Sequence, residues 1–244
     1  GARKGVLPAR HGRGHRVLPT ELSFRANVYR FRALGVEFLI SVSAVGSLKK
    51  EYVPGHIVVP DQFYDRTRHR ADTFFGNGIV AHVSVAHPVS KVLASTLADS
   101  ADAEGAVTHR GGCYVNMEGP QFSTRAESMA YRHMGFDIIG MTNLQEAKLA
   151  REAEIAYATL ALVTDYDCWH EGHDDVTVDM VIEYLNKNVR NTQLILKDAV
   201  KRVAAKETPN QYRNAIKNAI FTAPDHWPAE TAKKLDAIIG KYAS

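Results

Sequence analysis

Asp165 and Asp167 stand two residues apart at the end of an apolar run. Paired carboxylates in such a place can orient a polar ligand or pass it a proton. The run, 156–163, has neither a helical stripe nor a polar alternate face, so it predicts a central strand covered on both sides. In open α/β sheets ligands bind outside the carboxyl ends of the strands, where both aspartates fall. A conformational reading competes with this one, because aspartate after a strand also stabilises a turn.

Three further groups have side chains suited to chemistry. Arg10-His11-Gly12-Arg13-Gly14-His15 forms a cationic loop whose guanidinium forks suit phosphate and whose glycines let backbone N–H groups approach it; the competing reading is an exposed basic loop. Ser43 closes an apolar run at 36–43 and leads into Ala44-Val45-Gly46-Ser47, read as a small-residue turn. Such a turn can cradle an oxyanion or merely allow close packing. Glu118, Phe122 and Ser123 precede Thr124 and Glu127, whose spacing is that of a capping box. An aromatic face beside polar groups there can stack a flat ligand, and Phe122 as core filler is the alternative.

The elements that must position these residues alternate. After a short apolar piece at 5–9, Thr20 is expected to cap a helix closed by Gly35. Short strands follow at 56–60 and 78–85, with 61–77 a surface loop between them, then a helix over 89–101 and a strand or hairpin over 107–117 broken at Gly111-Gly112. A strand at 136–141 precedes Asn143, which with Glu146 is expected to cap a helix. Beyond the charged loop at 171–175, Thr177 caps a long helix whose apolar stripe includes Val178 and Val181. Short helical segments are expected at 212–222 and 229–242. His82 lies in one predicted strand, where a lone histidine is more often structural. Strands alternating with helices predict an α/β fold with a mixed, largely parallel central sheet flanked by helices.

Composition narrows the function classes. The chain has 244 residues, 45% of them hydrophobic, enough for one large core and one domain over 1–244. A formal charge of +3 without a concentrated basic run argues against nucleic acid and is compatible with an anionic small substrate. Cys113 and Cys168 imply no disulfide framework and fit a reducing, cytoplasmic compartment. No run approaches a membrane span, and no metal-ligand spacing, Walker loop, GxSxG or GxGxxG motif is present.

Taken in order, ARHGRGH, SVSAVGS, NMEGPQFSTRAES, GMTNLQEAKLA and TDYDCW resemble the trimeric purine nucleoside phosphorylase family, from about residue 6 to 204. TDYDCW and EGPQFSTRAES look most like its methylthioadenosine phosphorylase branch. The resemblance implies a homotrimer that uses inorganic phosphate as co-substrate, with no cofactor or metal, and attacks the anomeric carbon of a purine nucleoside. It implies phosphate contacts from Arg10, His11, Ser43, Ala44 and Thr142, and packing beside the ribose from Met141. Phe122 and Ser123 resemble the lining of the purine site. Asp165 and Asp167 resemble its base-recognising carboxylates, Val178 and Val181 the apolar lining at the sugar 5′ end, and His82 a residue reaching a neighbouring subunit's site. The family opens with a strand and a Gly-rich phosphate loop, which this chain is expected to lack.

Asp165 is the expected proton donor to purine N7, because it comes first out of the buried strand and burial raises a carboxyl pKa. The reverse assignment, Asp167 donating and Asp165 orienting the 6-amino group, stays open. Two carboxylates accept hydrogen bonds from a 6-amino group, whereas a 6-oxo purine would want an amide donor. The expected reaction is phosphorolysis of S-methyl-5′-thioadenosine. A 6-oxopurine or methylthioinosine phosphorylase and a non-catalytic nucleoside-binding protein are the alternatives.

Overall fold

The apolar run at 156–163 forms the strand from which the sheet is built. In the computed structural model, which describes residues 10–172, 177–205 and 209–243, that strand is β7, Ala156–Asp165, and all ten residues are buried. The apolar piece at 5–9 and residues 173–175 of the charged loop lie outside the described residues. Ala158, Leu160 and Leu162 on one face of β7 pack with Leu93, Leu97 and Ala101 of α2 (Lys91–Ala103) and Ile195 and Ala199 of α5 (Val178–Ala205). On the opposite face, Tyr157 joins the cluster containing Val28 and Phe31 of α1 (Phe24–Ala33) and Leu149 and Ala150 of α4 (Asn143–Glu152). Period-two alternation therefore feeds two separate apolar layers, which is why neither face of the strand is polar.

The other strands are β1 (Phe38–Ser47), β2 (Ile57–Val59), β3 (Gln62–Arg66), β4 (Thr108–Arg110), β5 (Cys113–Met117) and β6 (Ile138–Gly140). They lie in the order β3-β5-β6-β1-β7-β2-β4. Among the described residues β1/β7, β2/β4, β3/β5 and β5/β6 are parallel, while β1/β6 and β2/β7 are antiparallel. The sheet is thus mixed and largely parallel, as expected. β2 and β3 are consecutive in the chain yet stand toward opposite ends of the sheet, and so do β4 and β5. The ends must therefore approach each other, and the sheet curls. Gly111 and Gly112, at φ 81° and 106°, make the bend between β4 and β5. There Gly111 N donates to Val59 O at 2.9 Å and Asp61 N to Gly112 O at 3.2 Å, stitching the two bent strands together.

Several local expectations are corrected. The stretch 61–77 is not all loop, because β3 lies within it; its side chains are mostly exposed, so it carries little apolar signal. The segment 78–85 is no strand: only isolated bridges, Gly76 to Ile79 and Ala81 to Ile220, occur there. Thr20 does not cap α1, which starts after Ser23; its hydroxyl donates instead to Glu118 Oε1 at 2.9 Å. The segment 44–47 is no turn, because pairing to β7 carries β1 through it with an irregularity at Val45/Gly46. Asn143 is the first residue of α4 rather than its cap, and 212–222 forms turns, not helix.

The remaining helices match better. α3 (Arg125–His133) has the full capping box, with Glu127 N donating to Thr124 Oγ1 and Thr124 N to Glu127 Oε2. Thr177 Oγ1 accepts from Met180 N at the start of α5. The chain closes with α6 (Ala229–Lys234) and α7 (Asp236–Ile239).

Candidate active site

β1 carries the two halves of the site. Ser41 and Ser43 are both buried and share one face of the strand, two residues apart. The Arg10 guanidinium reaches this face: Nη2 donates to Ser41 Oγ at 2.9 Å and to the Val42 carbonyl. Its Nη1 donates to Thr142 Oγ1 at 3.1 Å and to Glu146 Oε1 at 2.7 Å. Burial alone would lower the Arg10 pKa, but the Glu146 carboxylate, together with Tyr157 and Tyr114, outweighs it and the pKa is raised. Ser43 Oγ lies 3.3 Å from the Tyr114 hydroxyl. Burial pushes that phenol up to about 12, so it stays protonated. A Cβ on Gly140 would fall 1.9 Å from the same hydroxyl, so only glycine fits where β6 hands over to Met141 and Thr142.

His11 follows Arg10 but turns aside. Its Nδ1 lies 2.9 Å from the Val17 carbonyl, which can only accept, so Nδ1 carries the proton. The ring stacks on His15 at 4.2 Å, and burial lowers its pKa. Ala44 is half-buried one residue beyond Ser43, in register with Leu162.

The second half lies at the end of β1. Gly46 is three residues beyond Ser43, about 10 Å along a strand. A Cβ on Gly46 would lie 2.8 Å from Asp165 Oδ1 and 3.4 Å from the Asp167 Cβ, so this glycine sits directly against both acids. Both aspartates are 5% exposed. Asp165 Oδ2 accepts from Thr164 Oγ1 at 2.7 Å and Oδ1 from Asp167 N at 2.8 Å. Burial raises the Asp165 pKa against the pull of these two donors. Burial also raises that of Asp167; the Ser128 and Ser123 hydroxyls oppose the rise and the Asp165 charge adds to it. Asp167 adopts φ 52°, and its buried Oδ2 makes no well-aligned hydrogen bond among the described residues, the Ser128 and Ser123 hydroxyls standing near enough to oppose the rise but out of good geometry. A buried acceptor left over beside a second carboxyl is suited to a donor from a ligand.

The loop before α3 closes over this end. The Ser123 carbonyl accepts from Cys168 Sγ at 3.3 Å, and Phe122 is 40% exposed rather than core filler. Met141 packs its sulfur against Gly119, where a Cβ would be 2.5 Å from it. Arg70 locks these pieces: its side chain is 1% exposed and donates to the carbonyls of Met141 and Glu118, to Gln145 Oε1 at 3.1 Å and to Glu118 Oε1 at 3.1 Å.

The peripheral candidates are placed differently. Val178 is 60% exposed and Val181 half-buried in the first turns of α5. Burial first, and the Tyr184 phenol second, raise the Tyr166 pKa. His82 is exposed, packs edge-on to Phe221 at 6.3 Å, and borders a recess of about 400 Å³ with Asp72, Lys148 and Glu152. Among the described residues no hydrogen bond or ion pair joins it to Arg10 or to the aspartates within one subunit. No cluster of three or more histidine, cysteine or acidic side chains able to hold a metal occurs among them either.

Ser41, Gly46, Arg70, Tyr114 and Glu146 were not anticipated as site residues. Hydroxyls at 41 and 43 interrupting an apolar run were a usable signal for Ser41. Glu146 reads locally as a helix cap, and Arg70 falls in a stretch that reads as surface.

The fold and site define an α/β protein with a guanidinium–hydroxyl cluster and a pair of buried carboxyls set along one strand of a curled sheet. Residues 2–201 match the family model described as Phosphorylase superfamily, and the chain belongs to that family. It is 57% identical over 240 residues to S-methyl-5′-thioadenosine phosphorylase of Koribacter versatilis, covering 98% of this chain and 82% of that one. The enzyme of the same name from Thermosynechococcus vestitus is 59% identical, with 97% and 83% covered. Among solved structures, methylthioadenosine phosphorylase sourced from an antarctic soil metagenomic library superposes with a TM-score of 0.90 at 49% identity, covering 94% of this chain and 81% of that one. The Schistosoma mansoni methylthioadenosine phosphorylase in complex with adenine gives 0.83 at 35% identity, with 87% and 82% covered.

Proposed function

We propose that the chain catalyses phosphorolysis of S-methyl-5′-thioadenosine to adenine and 5-methylthioribose 1-phosphate. Inorganic phosphate is the co-substrate and no other cofactor takes part. One observation carries this reading: a half-buried guanidinium among hydroxyls and a pair of buried carboxyls both abut β1, the first at Ser41 and the second at Gly46. Arg10, Ser43, Ala44 and Thr142 hold phosphate, with His11 at the edge. A phosphate oxygen bonds to C1′ as the C1′–N9 bond breaks, and Asp165, whose pKa burial raises, donates its proton to N7. Asp167 accepts from the 6-amino group through Oδ2. Phe122, Ser123 and Met141 line the base and ribose, and Val178 and Val181 face the methylthio group.

A held anion beside the developing cationic carbon and a proton at the leaving base each act in the transition state rather than on free substrate. The active form is a homotrimer in the cytoplasm. Exposed Phe122 and Val178 support closure by a neighbouring subunit, and His82 reaches that neighbour's site. Cys113 and Cys168 form no disulfide among the described residues, which supports a reducing compartment. Adenine release from S-methyl-5′-thioadenosine that saturates with phosphate is the expected result. Release independent of phosphate, or faster release of hypoxanthine from inosine, would replace this reading, and light scattering of the purified protein tests the trimer.

A further inference from the structure

All four N–H bonds of the two terminal Arg10 nitrogens are committed inside the protein. Nη2 serves Ser41 and the Val42 carbonyl, and Nη1 serves Thr142 and Glu146. From Thr142 a line of donors runs on through the core. Thr142 Oγ1 donates to Asn143 Oδ1 at 3.2 Å, Asn143 Nδ2 to Thr159 Oγ1 at 2.7 Å, Thr159 Oγ1 to the Tyr157 hydroxyl at 3.0 Å, and Tyr157 to Glu146 Oε2 at 3.2 Å. The line starts at Arg10 and ends at Glu146, which also bonds Arg10 directly, so six side chains close a ring. Each hydroxyl in it donates once and accepts once, and the Glu146 carboxylate is the one member that only accepts. Its two oxygens therefore fix both the guanidinium and the direction in which the Thr142 hydroxyl points. The ring draws on the loop that bears Arg10, on Thr142 just before α4, on α4 and on β7, and the Glu146 side chain is 15% exposed.

We propose that Glu146 is a positioning residue for anion binding: it holds Arg10 so that the guanidinium charge and Nε–H are left for phosphate and, through Tyr157, Thr159 and Asn143, turns the Thr142 hydroxyl hydrogen inward so that Oγ1 keeps a lone pair for the phosphate's own P–OH. This rests on the reading of Arg10 and Thr142 as phosphate contacts. Glu146 acts through them and touches neither the base nor the sugar. Its loss should therefore weaken phosphate selectively, whereas a residue needed only for folding would weaken both substrates together. Tyr157 is a second, independent handle, because removing its hydroxyl opens the ring with little change of volume.

The test is initial-rate kinetics with each substrate varied in turn, on the unmodified protein and on Glu146→Ala, Glu146→Gln and Tyr157→Phe. Losing a hydrogen bond to a charged group corresponds to about a tenfold or greater effect. For Glu146→Ala, KM for phosphate should rise by that factor while KM for the nucleoside stays within about twofold. Glu146→Gln, which still offers Arg10 an oxygen, should recover part of the loss, and Tyr157→Phe should show a smaller rise confined to phosphate. Parallel rises in both KM values with a lowered Tm, or an unchanged KM for phosphate in Glu146→Ala, would overturn the inference. If the unmodified protein itself shows no phosphate dependence, the functional reading fails first and the inference falls with it; a normal phosphate saturation curve with unresponsive variants sinks the inference alone.

Discussion

The main-chain N–H of Asp167 donates to Oδ1 of Asp165 across 2.8 Å, with Asp167 in a left-handed conformation at φ 52°. The second carboxyl is thereby folded back beside the first, and both are buried. Asp165 has a donor on each oxygen, while Asp167 keeps one buried oxygen without a well-aligned hydrogen bond among the described residues. Since every carboxyl oxygen has two lone-pair sites, Asp165 can carry a proton while it accepts, and the division of labour proposed above is compatible with both environments.

Burial raises the pKa of both acids, and this fixes the sign of the pH dependence. The protonated form of Asp165 is the donor, so kcat should fall as pH rises through its raised value. Asp165→Asn should lower kcat by about 10²- to 10⁴-fold and remove that alkaline limb. A pH–rate profile in which the variant keeps both the rate and the limb would remove Asp165 from the chemistry. Stability runs in the same direction. The contribution of each acid is fully present below the ordinary aspartate range and is lost as pH rises through the raised folded value. The Tm of Asp167→Asn should therefore improve relative to the unmodified protein as pH rises.

Gly46→Ala tests the close approach of β1 to the acids. Its Cβ would stand 2.8 Å from Asp165 Oδ1 and 3.0 Å from Ile139 Cγ2, so the carboxyl must move. Misplacing a reacting group by about 1 Å can cost about 100-fold. A loss approaching that size in kcat/KM for the nucleoside is expected, with KM for phosphate unchanged. Wild-type kinetics in this variant would show that the acids tolerate displacement.

Arg70→Lys keeps the charge but not the planar fork that joins the Met141 and Glu118 carbonyls. Stability should drop by about 1.5–3 kcal/mol, as for the loss of a bond to a charged group. KM for the nucleoside should rise, because the loop bearing Phe122 and the residue Met141 lose their common anchor. Denaturant melts and kinetics check the two effects separately.

Leu160→Ala removes a fully buried side chain from the face of β7 that meets α2 and α5. A loss of about 2–5 kcal/mol is expected. Leu160 faces helices rather than the site, so KM for phosphate should stay unchanged below the melting range; a shift there would mean that β7 transmits core strain to its mouth.

By itself the sequence determined what depends on near neighbours. The run at 156–163 could bury itself only as a two-sided strand, and Thr124 and Glu127 could bond only across the first turn of a helix. Motif resemblance, rather than local pattern, supplied the family and the expectation that Arg10 and Thr142 serve one phosphate site; their direct hydrogen bond came from the structure. Tertiary structure decided the rest. Arg70 reads as surface until β3 and the curl of the sheet bring it under Met141. Gly46 reads as a turn residue until parallel pairing places it against Asp165. Arg10 and Glu146 are 136 residues apart, and their contact follows from the order in which the strands lie. Periodicity and caps act over one turn or two residues, so they fix where an element forms; which elements meet is set by burial of whole faces, and no local spacing encodes that.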